Sequence, residues 1–289
     1  MKNIAIIGAG RLGASLGYAL SKKGVTIKAL SCRSIASAEE SRQKIGQGTA
    51  STDNVQTADQ GEIVFLIVPD DEIERVVQEL ASSLLNWEGK VVFHCSGLLT
   101  SSVLNPLQSK GAHTGSIHPC FSFPKKQSRH DLFQDIYFAL EGDDFAVAHA
   151  KDIVCTIGGL HFMIRTEDKA CYHTACSMAS NMSVALLYTA VSLLSKCGIE
   201  QDQAKKVLCP LLEGTLHNVN KIDILDALTG PVARGDLTTI RKHLQELEKF
   251  PSAHRIYIDL ATQALEMVKR GNKTPKEKIS EMEALLERE

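Results

Sequence analysis

Apolar residues in the first half of the chain fall in short unbroken runs separated by amphipathic stretches, and that rhythm predicts the elements. "NIAIIG", "VTIKAL", "EIVFLIV", "KVVFHCS" and "HTGSIH" have the continuous apolar character of parallel strands buried on both faces. Residues 11–22, 35–45, 70–85 and 100–110 carry apolar positions at helical spacing and read as crossover helices. The alternation is that of a doubly wound α/β domain. Two further strands, "IYFALEG" and "GLHFMIR", flank a helix over about 145–156, and no strand signal recurs after them.

Beyond residue 165 the pattern is helical only. Thr166 is placed to cap a helix that Gly198 ends, with Glu167 and Asp168 favourable at its positive end. Residues 184–194 of that helix are apolar on nearly every face, so it is expected to run through the centre of a second domain. Leu237, Ile240, Leu244 and Leu247 make one stripe of a later helix; another covers about 252–269, and 276–289 reads as a solvated helix or frayed end. The expected organisation is a mostly parallel sheet domain over 1–165 and an all-α domain over 166–289.

Composition narrows the partners. With 289 residues, 44% apolar and 5% aromatic, the chain can build two ordinary globular cores. A net charge of −2 with interspersed signs leaves no footprint for nucleic acid or a membrane surface, so a small molecule is the expected partner. The eight cysteines form no C-x-x-C pair and are expected to be reduced and mostly buried; no metal is expected, because neither cysteines nor histidines have ligand spacing. The start "MKNIAIIGAG" is too short an apolar run for a leader, and no apolar window is seen to reach the roughly 18 residues of a span. A cytoplasmic location is therefore expected.

"GAGRLG" sits directly after the first strand and opens the first helix. Gly8, Gly10 and Gly13 would permit a tight turn, close approach of a pyrophosphate, and helix-on-strand packing, with Arg11 and Leu12 in the same turn. In this context the motif points to a Rossmann-like dinucleotide site. The second strand ends in "SCRS", without the acid that bonds an NAD ribose; Arg33 can pair with a 2′-phosphate, and Ser31 and Ser34 can donate to it, so NADP (NADPH) is expected over NAD. The other reading makes Arg33 a solvated residue at a helix entry. In "VPDDEI" Asp70 or Asp71 should cap the next helix, while the backbone of Val68 and Pro69 lies where the cofactor would pass.

Two strand ends carry candidate catalytic groups. His118 in "SIHPCFSF" can bond or protonate a substrate atom near neutral pH, and Ser96 in "HCSG" could orient the same group or contact the cofactor; both could instead be satisfied by local backbone. On an ideal helix starting at Lys169, Ser180 falls at about 20°, His173 at about 40°, Ser177 at about 80° and Asn181 at about 120°. That polar stripe on an otherwise apolar helix reads as a cleft wall, the alternative being a helix–helix contact. "ALTGPVARGD" contains a Gly-Pro stop, with Asp236 capping the helix that follows. Thr229, Arg234 and Asp236 in it are candidates for the substrate rim, or for a clasp between helices.

In this order, "GAGRLG", "SCRS", "VPDDEI", "CSG", "GSIHPCFSF", "YHTACSMASN" and "ALTGPVARGD" resemble the Rossmann-like oxidoreductases that carry a C-terminal domain of unknown function, over the chain to about Leu265. These are relatives of 6-phosphogluconate dehydrogenase, ketopantoate reductase and pyrroline-5-carboxylate reductase. The resemblance implies an NADP-binding domain, a 6-phosphogluconate dehydrogenase-like helical domain through which the chain forms a homodimer, and a site between the two. In the related dehydrogenases a helix presents a lysine with an asparagine four residues later; here Lys169 is followed at that spacing by His173. Prephenate dehydrogenases resemble the "HP" of His118. The expected activity is hydride transfer between the nicotinamide and a small carbonyl, imine or hydroxy compound. His118 or His173 would handle the proton, and Lys169 and Asn181 would hold the substrate. A non-catalytic NADP sensor or regulatory protein is the alternative.

Overall fold

The computed structural model describes residues 2–126, 129, 131–271 and 274–287. Chain contacts divide it into two compact units, Met1–Ser180 and Asn181–Glu289.

The first unit is built on β1 (Ile4–Ile7), β2 (Ile27–Ser31), β3 (Thr49–Ser51), β4 (Ile63–Leu66), β5 (Val91–His94), β6 (His113–Pro119), β7 (Tyr137–Gly142) and β8 (Leu160–Met163), in the order β3-β2-β1-β4-β5-β6-β7-β8. All neighbours run parallel except β6 and β7, which are antiparallel. The predicted apolar runs from β1 to β7 form strands because both faces are covered, whereas β8 at the sheet edge leaves Leu160, Phe162 and Met163 exposed. Ile4, Ile6, Phe65 and Phe93 pack on one side; Ala5, Ile7, Val64 and Val92 pack on the other, around the fully buried Trp87. The helices are α1 (Arg11–Lys22), α2 (Ile35–Ile45), α3 (Asn54–Asp59), α4 (Asp70–Ser82), α5 (Asn105–Gln108) and α6 (Asp144–Thr156). Strand order reverses between β1 and β4, which opens a crevice at their carboxyl ends. The short β3 and α3 had no sequence signal of their own.

Residue 166 begins a run of helical turns that differs from the expected single helix. Thr166–Asp168 is a 3-10 turn, α7 covers Lys169–Ser177, a π turn covers Met178–Met182, and α8 covers Ser183–Lys196. Thr166 does not cap; its hydroxyl lies 3.4 Å from Glu141. Taken together, the turns over Thr166–Lys196 are long and apolar enough to cross a membrane, contrary to the window count from the sequence. Their first part instead buries Lys169 in the sheet unit.

The second unit contains α8, α9 (Gln201–Val219), α10 (Ile224–Ala227), α11 (Pro231–Arg234), α12 (Leu237–Leu247), α13 (Pro251–Gly271) and α14 (Lys276–Leu286). Its core is Val232, Ile240, Leu244, Ala261, Leu265, Val268, Met282 and Leu286, all from α11 to α14. Residues 184–194 are not its centre: α8 buries only Val191 and α9 only Ala204, while Val184, Leu186, Tyr188, Val207 and Leu211 stand exposed. Gly230 at φ 94° and Pro231 at the head of α11 make the expected break, and Asp236 caps α12 by accepting from the Thr239 N–H.

Candidate functional site

The first glycine turn is shaped by what it must admit. A Cβ on Gly8 would strike the Ile67 carbonyl and one on Gly13 the Gly8 carbonyl at 2.5 Å, whereas nothing lies within 4 Å of a Cβ on Gly10. Two glycines close the turn against the sheet and the third keeps its outer face open. A cavity of about 750 Å³ begins there, lined by Gly8, Gly10, Arg11 and Leu12, by Arg33, Ser34 and Ser37, and by Ile67, Val68 and Pro69. The open glycine face, the cavity and the crevice between β1 and β4 suit a dinucleotide. Arg75, unnoticed in the sequence, also lines it but pairs with Glu72 at 2.7 Å; Arg33 has no ion-pair partner among the described residues.

Ser34 caps α2, accepting from the Ser37 N–H, and remains on the cavity wall. Ser31 does not reach it. Its hydroxyl is fully buried and donates to Asn54 Oδ1 at 2.9 Å, so it is withdrawn from the expected phosphate contact.

At the ends of β5 and β6 a second group of polar residues adjoins the first. Pro69, not an acid, occupies the cap of α4, and Asp70 accepts the Ser96 hydroxyl proton at 2.7 Å. The Ser96 oxygen also accepts from the Leu98 and Leu99 N–H groups. One proton and two lone pairs are then all engaged, so Ser96 shapes the loop and has nothing left to orient a ligand. His94 stiffens the same loop: its Nδ1 accepts from the Ser96 N–H, which puts the ring proton on Nε2 facing the Thr100 carbonyl at 3.1 Å. Burial pulls His94 down to about 3, so it is neutral.

Lys169 is 1% exposed. Its ammonium lies 2.5 Å from Ser116 Oγ, 3.2 Å from the Ser96 carbonyl and 3.6 Å from Glu141 Oε1. Three protons meet three protein acceptors, and the expectation that Lys169 holds substrate is corrected: it is a buried strut between strands and helix. Burial lowers its pKa and Glu141 opposes the shift. Glu141, missed in the sequence although it interrupts the apolar run "YFALEG", also accepts from the Ser101 N–H at 2.5 Å and the Ser101 hydroxyl at 2.8 Å.

His118 and His173 do come together. Their rings are 5.8 Å apart and nearly perpendicular, and a Cβ on Gly97 would lie 2.8 Å from His118 Nε2 and closer still to His173 Cδ2. The His118 Nδ1 is 2.6 Å from the Tyr172 hydroxyl, which is also 2.9 Å from Cys120 Sγ. Burial, then His173, pulls His118 down to about 4, and burial raises Tyr172, so at neutral pH His118 is an uncharged imidazole beside a protonated phenol. Among the described residues neither His118 Nε2 nor the His173 ring takes a hydrogen-bond partner. Tyr172 shares the face of Lys169 and His173 on α7, a spacing that could have marked it.

The polar stripe is shorter than the ideal helix implied. Lys169 is buried and His173 and Ser177 half-buried, but Ser180 and Asn181 fall in the π turn and are exposed. An extra residue per turn offsets every later side chain from a 100° count. In the second unit Thr229 lines an apolar cavity of about 330 Å³ with Leu186, Leu193 and Tyr257. Arg234 is exposed, and the Asp236 oxygens are taken by the Thr239 N–H and hydroxyl. None of the eight cysteines is disulfide-bonded, but the expected burial is wrong: five are half-buried and Cys155, Cys171 and Cys197 exposed. No metal cluster occurs among the described residues.

Residues 2–119 match the Rossmann-like domain family, and residues 136–264 match the domain of unknown function DUF2520. Protein TM1727 of Thermotoga maritima is 30% identical, with 93% of this chain and 100% of that one covered and a TM-score of 0.74. BF3122 of Bacteroides fragilis, whose name assigns it provisionally to the NADP oxidoreductases, is 25% identical over 91% and 97% at a TM-score of 0.75. A pyrroline-5-carboxylate reductase of Coxiella burnetii shares the fold at 19% identity, 94% and 99% coverage and a TM-score of 0.59. No curated protein matches.

Proposed function

Because this chain belongs to the family that joins a Rossmann-like domain to the DUF2520 domain, we propose that it is an NADP-dependent oxidoreductase acting on a small carbonyl, imine or hydroxy compound. The observation that carries the reading is the adjacency, at one sheet edge, of a glycine-lined cavity and two imidazoles with open nitrogens. Gly8, Gly10, Arg11, Leu12 and Gly13 would hold the pyrophosphate, Arg33 and Ser34 the 2′-phosphate, and the Val68–Pro69 backbone the middle of the cofactor. When bound, a nicotinamide gives or takes a hydride.

The chain itself would supply the proton. With the Tyr172 hydroxyl donating to Nδ1 of His118, Nε2 carries the ring proton and can pass it to a substrate oxygen or nitrogen as the phenol proton moves onto Nδ1, which leaves His118 neutral and a Tyr172 phenolate for solvent to reprotonate. With the phenol proton turned to Cys120 Sγ, Nδ1 keeps the ring proton and Nε2 can accept one. The same imidazole thus suits reduction and oxidation. His173 is the second substrate contact, and Lys169 is a positioning residue that acts through Ser96 and Ser116.

We also propose a homodimer formed through α8 and α9, whose apolar faces the second unit's own core leaves uncovered.

Titration calorimetry with NADPH and NADH tests the cofactor. NADPH should bind at least about tenfold tighter, near 1.4 kcal/mol, and Arg33→Ala should erase most of that difference. Equal affinities, or no binding of either, would sink the reading. Keto acids, imines and aldehydes are then screened with NADPH for loss of reduced-nicotinamide absorbance. Tight NADPH binding with no turnover across the panel would favour the sensor instead.

A further inference from the structure

The chain leaving β6 does not stop at the histidine. It runs on to residues 124 and 126, which are tied to two residues that line the cavity, Arg11 and Ser37. Arg11 of the glycine turn donates to the Pro124 carbonyl at 3.3 Å. Two residues later the Lys126 ammonium reaches α2, 2.7 Å from Glu40 Oε2, 3.2 Å from Ser37 Oγ and 3.4 Å from the Ser37 carbonyl. The Lys126 side chain is only 13% exposed. Ser37 lines the cavity beside Arg33 and Ser34, so this cation, far along the chain, stands directly behind the wall where a 2′-phosphate would lie.

We propose that Lys126 is the second cation of the 2′-phosphate subsite, acting with Arg33 through and beside Ser37. This rests on the NADP reading above. The geometry separates Lys126 from the sealed strut Lys169. Two of its three contacts are long and go to a single residue, and its ion-pair partner Glu40 is half exposed and also pairs with Lys44 at 2.8 Å, so Glu40 keeps a cation when Lys126 turns toward a phosphate. A phosphate oxygen accepting the Ser37 hydroxyl proton would sit within one further contact of the ammonium, and two negative charges there outcompete a carbonyl for an ammonium proton. NADH has a ribose hydroxyl at that place and would draw nothing from Lys126. Cofactor selectivity is then set partly by the segment that also carries His118, so the strap couples the two regions of the site.

The test is binding, read by calorimetry with NADPH, NADH, 2′,5′-ADP and 5′-AMP as probes, beside the melting temperature of each variant. Lys126→Ala and Lys126→Gln should weaken NADPH and 2′,5′-ADP by about tenfold and leave NADH and 5′-AMP within about twofold. Glu40→Gln, which removes the competing acid, should tighten NADPH and 2′,5′-ADP. Raised salt should reduce the wild-type preference and affect the Lys126 variants less. The proposal is overturned if the Lys126 variants lose NADPH and NADH equally, which would make the strap a structural cover. It is equally overturned if they keep full NADPH selectivity while Arg33→Ala loses it. A wild-type protein that does not discriminate between the two dinucleotides would instead overturn the NADP reading itself, and Lys126 with it.

Discussion

Gly97 has no room for a side chain because two imidazoles close over it. Gly97→Ala must push His118 or His173 aside, at a cost of about 1–3 kcal/mol for overpacking. Its melting temperature should fall, and turnover should fall more than NADPH affinity; unchanged turnover in a folded variant would show that the histidine pair is not the reacting group. His118→Ala should leave NADPH affinity intact and lower turnover about a hundredfold. Protonation offers a separate check on the same residue. His94 and His118 are held near 3 and 4 when folded against an ordinary value of 6.5. Depressed bases leave the unfolded chain binding more protons, so their stabilisation is complete above pH 6.5 and is lost as pH falls toward those folded values. Each such imidazole costs about 1.4 kcal/mol per pH unit in that window. Urea midpoints should therefore drop between pH 6.5 and 5, less so in His94→Gln or His118→Gln, and a flat profile would contradict the burial. At this scale the sequence identified the residue types and not their partners. Arg33, Ser34 and His118 lie where strand ends place them, whereas Ser31, Ser96 and Lys169 turn out to be spoken for by Asn54, Asp70 and Glu141, contacts made across 23 to 28 residues of chain.

Elements were legible where burial imposes a period. The apolar runs became strands, and the crossover helices over 11–22, 35–45 and 70–82 followed, because strands buried on both faces leave no alternative reading, whereas the helix expected over 100–110 is a 3-10 turn at Ser101–Leu104 and the four residues of α5. The helix after residue 165 was misjudged for two physical reasons. A π turn at Met178–Met182 has no sequence signature in a count at 100° per residue, so Ser180 and Asn181 were assigned to a face they do not share. Apolar residues all round α8 signal burial without saying against what, and its own unit does not supply the cover. What fastens α7 to the sheet is the Lys169–Glu141 pair. Removing one partner leaves a buried charge, so Lys169→Met or Glu141→Gln should each destabilise by about 3–5 kcal/mol in urea unfolding. The double variant Lys169→Met, Glu141→Gln should lose less than the two single changes together. Strict additivity would mean the groups act independently.

For the molecule as a whole, the exposed helix pair makes a prediction about mass. Leu186→Glu or Leu211→Glu places a charge on an apolar face and should shift the light-scattering mass from dimer to monomer at micromolar concentration. The first unit should keep its NADPH affinity. A wild-type protein that is monomeric would remove the homodimer from the reading. The single tryptophan has a further use. Trp87 is sealed in the first unit beneath the sheet, and the second unit has none. Intrinsic indole emission therefore watches one half of the chain only, while far-ultraviolet dichroism watches both. Melting curves that diverge between these two signals would expose a stepwise collapse that any single trace would hide. Quenching of the same emission by NADPH, through energy transfer to the reduced nicotinamide, would give a built-in optical gauge of cofactor occupancy without any label.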